Sequence, residues 1–119
     1  MKVVGKINWN MYNIQFSENV EIQQIEDFCT SLIGEQSPCT FLGFVNKIDD
    51  THFLLNVIDM NNFDLMDVEV YEDEILINLC DDSKDDSSVQ RLLEYCRMKV
   101  DKNAHITYNE KSFASVVEM

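Results

Sequence analysis

The sequence predicts an α+β fold: a single antiparallel sheet of about five to seven strands with two helices, in the rough order β(β)-α-β-β-β-β-α-β. Three observations predict it. Apolar residues alternate with period two in several stretches. Two other stretches, 19–33 and 87–101, switch to helical spacing. Short acidic breaks, Asp49-Asp50 and Glu72-Asp73, separate neighbouring strand-like runs, which suits hairpins better than parallel crossovers. At 119 residues and 45% hydrophobic, the chain is of single-domain size and too apolar for disorder, so 1–119 reads as one compact domain. Three glycines and one proline leave little material for linkers.

The first strand region is irregular. Val3, Gly5, Ile7 and Trp9 stand at odd positions, whereas Tyr12, Ile14 and Phe16 stand at even ones. A regular strand cannot change its buried face, so a turn or bulge is expected near Asn10, giving two short strands or one bulged strand. Ile22, Ile25, Cys29 and Leu32 then recur at helical spacing, with Phe28 and Ile33 widening the stripe. Ser17 or Asn19 is placed to cap that helix, Glu18 and Glu21 suit its positive end, and Gly34 is placed to stop it.

Phe41–Val45 and Phe53–Ile58 flank Asp49-Asp50. A hairpin turn at that pair sets Phe44 opposite Leu55, Leu42 opposite Val57 and Val45 opposite Leu54. Apolar residues then fall on both faces, as in central strands. Met66, Val68 and Val70 are even, while Ile75, Ile77 and Leu79 are odd. A turn at Glu72-Asp73 reconciles them, pairs Val70 with Ile75 and Val68 with Ile77, and sends Asp67, Glu69 and Tyr71 to the opposite face. Val89, Leu92, Leu93, Cys96 and Val100 mark the second helix, with Ser87 or Ser88 as its cap and Arg97, Lys99 and Lys102 near its negative end. Ile106 and Tyr108 form a last strand, which Phe113, Val116 and Val117 extend or follow. The order is similar to that of profilin-like and longin-like scaffolds, an analogy of fold that carries no function.

Charge is the feature that bears on function. The segment from Asp59 to Asp86 holds 11 of the 22 acids against one base, Lys84, and so contributes −10 of the net −13. An acidic surface repels phosphate backbones and anionic lipid, and speeds encounter with basic partners. Direct nucleic-acid binding is therefore not expected. The small basic set Arg91, Arg97, Lys99, Lys102 and Lys111 is explained by the helix dipole.

Recognisable chemistry is missing. The cysteines, Cys29, Cys39, Cys80 and Cys96, are 10, 41 and 16 positions apart, without the close pair of a zinc site. Asp81-Asp82-Ser83-Lys84-Asp85-Asp86 offers oxygens, but the positions that a calcium loop gives to glycine and glutamate hold Asp86 and Leu92. No Gly-rich phosphate loop, nucleophile elbow or HExxH motif occurs, and His52 and His105 share no local motif with a nucleophile. No cofactor or metal is expected, and a non-enzymatic role is favoured. Lack of an apolar leader, of a glycosylation sequon and of a membrane-length apolar run suggests a cytosolic protein with reduced thiols and no membrane partner.

The expectation is a small acidic cytosolic inhibitor or immunity protein that neutralises a basic toxin, most plausibly a nuclease, whose cleft must be basic to hold phosphate. Its docking residues would be Asp67, Glu69, Tyr71, Glu72, Asp73 and Glu74, with Asp81, Asp82, Asp85 and Asp86 as steering charge, and Tyr71 and Phe63 as aromatic anchors. A secretion chaperone or adaptor, which binds a protein segment along an uncovered apolar face, is the alternative. A small enzyme without recognisable motif is the second alternative, and would need a pocket of convergent, pKa-shifted groups.

Overall fold

The structure, a computed structural model, describes residues 2–34, 36–61, 63–80, 86–108 and 112–118, with side chains for 10–34, 36–61, 63–80 and 86–108. The elements in chain order are β1 (Lys2–Gln15), α1 (Ile22–Leu32), β2 (Phe41–Asp49), β3 (His52–Asp59), β4 (Leu65–Tyr71), β5 (Glu74–Cys80), α2 (Ser87–Lys99), β6 (His105–Tyr108) and β7 (Ser112–Glu118). The expected α+β class holds. All strands join one antiparallel sheet in the order β2-β3-β4-β5-β1-β6, and β7 pairs the first part of β1. The chain leaves β1 inside the sheet and crosses through α1 to the far edge at β2. It then meanders back strand by strand to β5, beside β1.

One face of this sheet is buried. Tyr12 and Ile14 of β1, Phe53, Leu55 and Val57 of β3, Met66, Val68 and Val70 of β4, and Ile75, Ile77 and Leu79 of β5 share it by register. They form one core with Ile25, Phe28, Cys29 and Leu32 of α1 and Val89, Leu92, Leu93 and Cys96 of α2. Both helices therefore lie on the same face. They meet through the stacked rings of Phe28 and Tyr95, 5.7 Å between centroids, and the Tyr95 hydroxyl donates to Ser31 Oγ at 2.6 Å. The opposite sheet face has no helix over it among the described residues.

Several expectations are corrected. β1 takes one of the two expected forms, a single bulged strand of 14 residues, but its pairing shift lies between Val3 and Gly5 rather than near Asn10. β5 pairs β1 from Trp9 onward, residues 2–9 pair with β7, and Asn10, Tyr12 and Ile14 turn to the buried face. Ser17 does not cap α1; its amide and hydroxyl both donate to Asp101 Oδ2, at 2.7 and 2.9 Å. Glu21 takes the cap position without a side-chain bond, and Ile22 is 37% exposed rather than part of the core stripe.

The β2–β3 register is one residue away from the expected one. Phe44 faces Asn56, Leu42 faces Ile58 and Val45 faces Leu55, with a bulge between Lys47 and Asp49 at the turn. The slip sends Phe44 to the helix-free face, where it is 74% exposed. β2 is also an edge strand, not a central one. Gly43 makes the observed register possible. Its φ is +150°, and a Cβ there would sit 1.8 Å from the Asn56 carbonyl oxygen, so only glycine fits. The β4–β5 hairpin forms in the expected register, Val70 opposite Ile75 and Val68 opposite Ile77.

Candidate functional site

The acidic segment divides into an inward and an outward set. Asp59 ends β3 and is fully buried. Its carboxylate accepts the Asn61 amide at 2.9 Å, a hydrogen bond from the Ser88 hydroxyl and a charged hydrogen bond from Arg91 Nη2. Arg91 also donates to the Cys39 carbonyl at 3.0 Å and lies over the Phe41 ring, 5.7 Å from its centroid. Burial pushes the Asp59 carboxyl up, but Ser88, the Asn61 amide and Arg91 together outweigh it and hold the group below the usual carboxylate range. Ser88 is thus not a helix cap. It is a buried bridge to Asp59, and also lies 3.1 Å from Asp64 Oδ2. Asp86 takes the cap position of α2 without a side-chain cap bond, and receives Gln90 Nε2 at 3.3 Å.

The outward set lies on and around the helix-free face. Register places His52 of β3, Tyr71 of β4 and Glu74 of β5 in one row across the sheet, and Leu54, Glu69, Leu76 and Asn13 in the next. The His52 and Tyr71 rings stack at 4.4 Å with 12° between planes, and His52 Nε2 lies 3.5 Å from Glu69 Oε1. Asn13 Nδ2 donates to Glu74 Oε2 at 3.0 Å, and Asn56 Nδ2 to Asp67 Oδ1 at 2.8 Å. Burial, then the charges of Glu69, Glu74 and Asp49, raise the Tyr71 hydroxyl above its ordinary pKa. Tyr71 is therefore a half-buried, stacked ring rather than a bare anchor. Phe63 is bare: it is 74% exposed, on a turn residue with φ of +59°.

The hairpin tip is held in place. The Glu72 carbonyl accepts the Val20 amide at 2.8 Å, and the Asp73 carbonyl accepts the Phe16 amide at 3.1 Å and Gln15 Nε2 at 3.1 Å. The backbone is tied to the chain that follows β1 while the side chains of Glu72 and Asp73 stay exposed. Asp67, Glu69, Tyr71, Glu72, Asp73 and Glu74 are thus brought together on one face and its rim. Asp81, Asp82 and Asp85 lie outside the described residues.

Towards the β2 edge the same face turns apolar. Leu42, Ile58, Leu65 and Cys80 occupy one row by register, and Phe44 stands beside Asn56 in the next. Phe44, Ile48, Ile58 and Leu65 are exposed, as are Met60 and Phe63 in the β3–β4 turn. Sequence reading missed this patch because the expected register buried Phe44.

Other chemistry is sparse. Among the described residues no group of three His, Cys, Asp or Glu is placed to hold a metal, and no disulfide joins the described cysteines. Burial pushes Cys29 and Cys96 up to about 12. A cleft of about 450 Å³ lies beyond the ends of the two helices, and its titratable lining consists of Tyr95 and Lys99. No helix is long and apolar enough to cross a membrane.

Fold and site together define an α+β domain with one helix-covered sheet face and one bare face, part acidic and part apolar. The chain belongs to the MJECL33-like protein family, whose pattern it matches over residues 3–114. No curated protein and no solved structure matches it.

Proposed function

We propose that this is a protein-binding domain that docks a basic protein on its bare sheet face, acting as a small cytosolic inhibitor or immunity protein against a toxin such as a nuclease. One observation carries the reading: Asp67, Glu69, Glu72, Asp73 and Glu74 converge on a rigidly pinned hairpin, with no Lys or Arg on β3, β4 or β5 to balance them. Such a surface steers a basic partner to itself, and a pre-ordered backbone lowers the entropy lost on docking. Asp86, with Asp81, Asp82 and Asp85, extends the attracting field. In this reading the protein works by covering its partner rather than by turning over a substrate.

The test is reversal of Glu69, Glu72, Asp73 and Glu74 to lysine, followed by binding kinetics against the basic protein captured from the source cell. The association rate of the variant is expected to fall at least about tenfold at low salt. Unchanged rate and affinity would move the interface elsewhere. The adaptor or secretion-chaperone reading draws support from a different observation, the row of half-buried Leu42 and exposed Ile58 and Leu65 beside exposed Phe44. An apolar segment bound there would hold with little salt dependence.

A further inference from the structure

We infer that the outer edge of β2 is a self-association site that pairs antiparallel with β2 of a second copy, joining two sheets across a twofold axis. The edge is open. Among the described residues its outer side is met at Phe41, whose carbonyl accepts the Gly34 amide at 2.9 Å and which forms an isolated bridge with Ile33. Thr40 bonds the other way, through its carbonyl to the Met60 amide at 3.0 Å. Alternation along an antiparallel strand therefore carries the outward set from Phe41 to Val45, leaving the Val45 backbone groups facing out of the sheet.

The usual protections of an edge are weak here. β2 is nine residues long, without proline, and Lys47 is the sole base among its residues. Its bulge lies at the turn end, between Lys47 and Asp49, leaving 41–47 in regular register. Two of the side chains that a neighbour would meet are exposed and apolar: Phe44 is 74% exposed and Ile48 54%.

Self-complementarity selects a second copy as the occupant, and the neutrality of the strand permits it. In a chain of net −13, β2 carries one base and one acid, Lys47 and Asp49, and is neutral. The acidic hairpin lies beyond β3, so pairing at β2 keeps the two acidic patches at opposite flanks of the joined sheet. A charged segment finds no surplus of opposite charge along this strand, and two identical neutral strands bring no surplus of like charge into contact. A twofold register centred on Asn46 pairs Val45 of each copy with Lys47 of the other and brings Phe44 beside the exposed Ile48 in the bulge, so that both side chains lose solvent.

Sedimentation velocity on the full chain tests this at low and high salt, across roughly 1 to 100 μM. A dimer is expected to fill with concentration and to tighten as salt rises, because two copies of net −13 repel each other at low salt. Phe44→Lys, Ile48→Lys and Val45→Pro should each raise the dimer dissociation constant at least about tenfold. Proline at an outward edge amide spares the β2–β3 pairing. Circular dichroism melts establish that each variant is folded, and the two lysine variants stand if the proline variant is not. Glu72→Lys should leave the dimer in place. A monomer at every concentration and salt would overturn the proposal, as would a dimer that all three variants preserve. Capture of an added extended peptide by a chain that stays monomeric would assign the edge to another protein. The salt sign separates this proposal from the docking reading, whose affinity falls with salt.

Discussion

Asp59 has no exposed surface, yet it carries a charge that the fold needs. It joins the end of β3, the β3–β4 turn and α2 through Asn61, Ser88 and Arg91. Removing one member of a buried ion pair leaves the other uncompensated. Asp59→Asn is expected to destabilise the protein by about 3 kcal/mol, read from urea unfolding. The group also sets an acid limit. Its folded pKa lies below the unfolded value, so its contribution is complete above the ordinary carboxylate pKa of about 3.9 and is lost as pH falls through the lower folded value. Asp101, held low chiefly by the Ser17 amide, acts in the same direction. Unfolding free energy should therefore drop below about pH 4, with a shallower slope in Asp59→Asn. The cysteines give a second check at this scale. Thiols pushed up to about 12 in the core hold almost no thiolate, so alkylation of the native protein should spare Cys29 and Cys96 and modify them only after unfolding. Labelling of both in the native state would contradict the packing. Composition alone could not separate Asp59 from its acidic neighbours, because its partner Arg91 is 32 residues away.

At the scale of elements, two hairpins with similar turn residues differed in how well they could be read. β4 and β5 keep an all-apolar inner face, Met66, Val68 and Val70 against Ile75, Ile77 and Leu79, and gather Asp67, Glu69, Glu74 and Asn78 outside, so one register buries the right set. β2 and β3 carry apolar residues on both faces, and a one-residue slip costs little in pattern terms. The bulge near Asp49, where the Thr51 amide and hydroxyl bond the Asp49 carboxylate, decides the register instead. Gly43 records the outcome. Gly43→Ala would drive a Cβ into the Asn56 carbonyl at a φ that side chains avoid, and is expected to cost about 3 kcal/mol, with loss of amide protection in β2 before β4 and β5. A neutral effect in a thermal melt would contradict this register. The helices were legible from spacing, but their caps were not. Ser17 and Ser88 bond acids that lie far along the chain, Asp101 and Asp59, and no local motif announces such bonds.

For the whole molecule, the fold sorts charge by face. Both helices cover one side of the sheet, and the other side keeps acid over β4–β5 and apolar side chains towards β2. Period-two alternation made the acidic part legible in advance; the apolar part emerged only with the true β2 register. The long-range field of net −13 acts before contact, so it should govern association rate more than dissociation rate. The most direct measurement is stopped-flow association of the basic partner with wild-type protein and with the Glu69, Glu72, Asp73 and Glu74 lysine variant, at low and high salt. Docking on the acidic hairpin predicts a fast wild-type rate that falls steeply with salt, and a slower variant rate with a flatter dependence. Equal rates for the two proteins at both salts would contradict it.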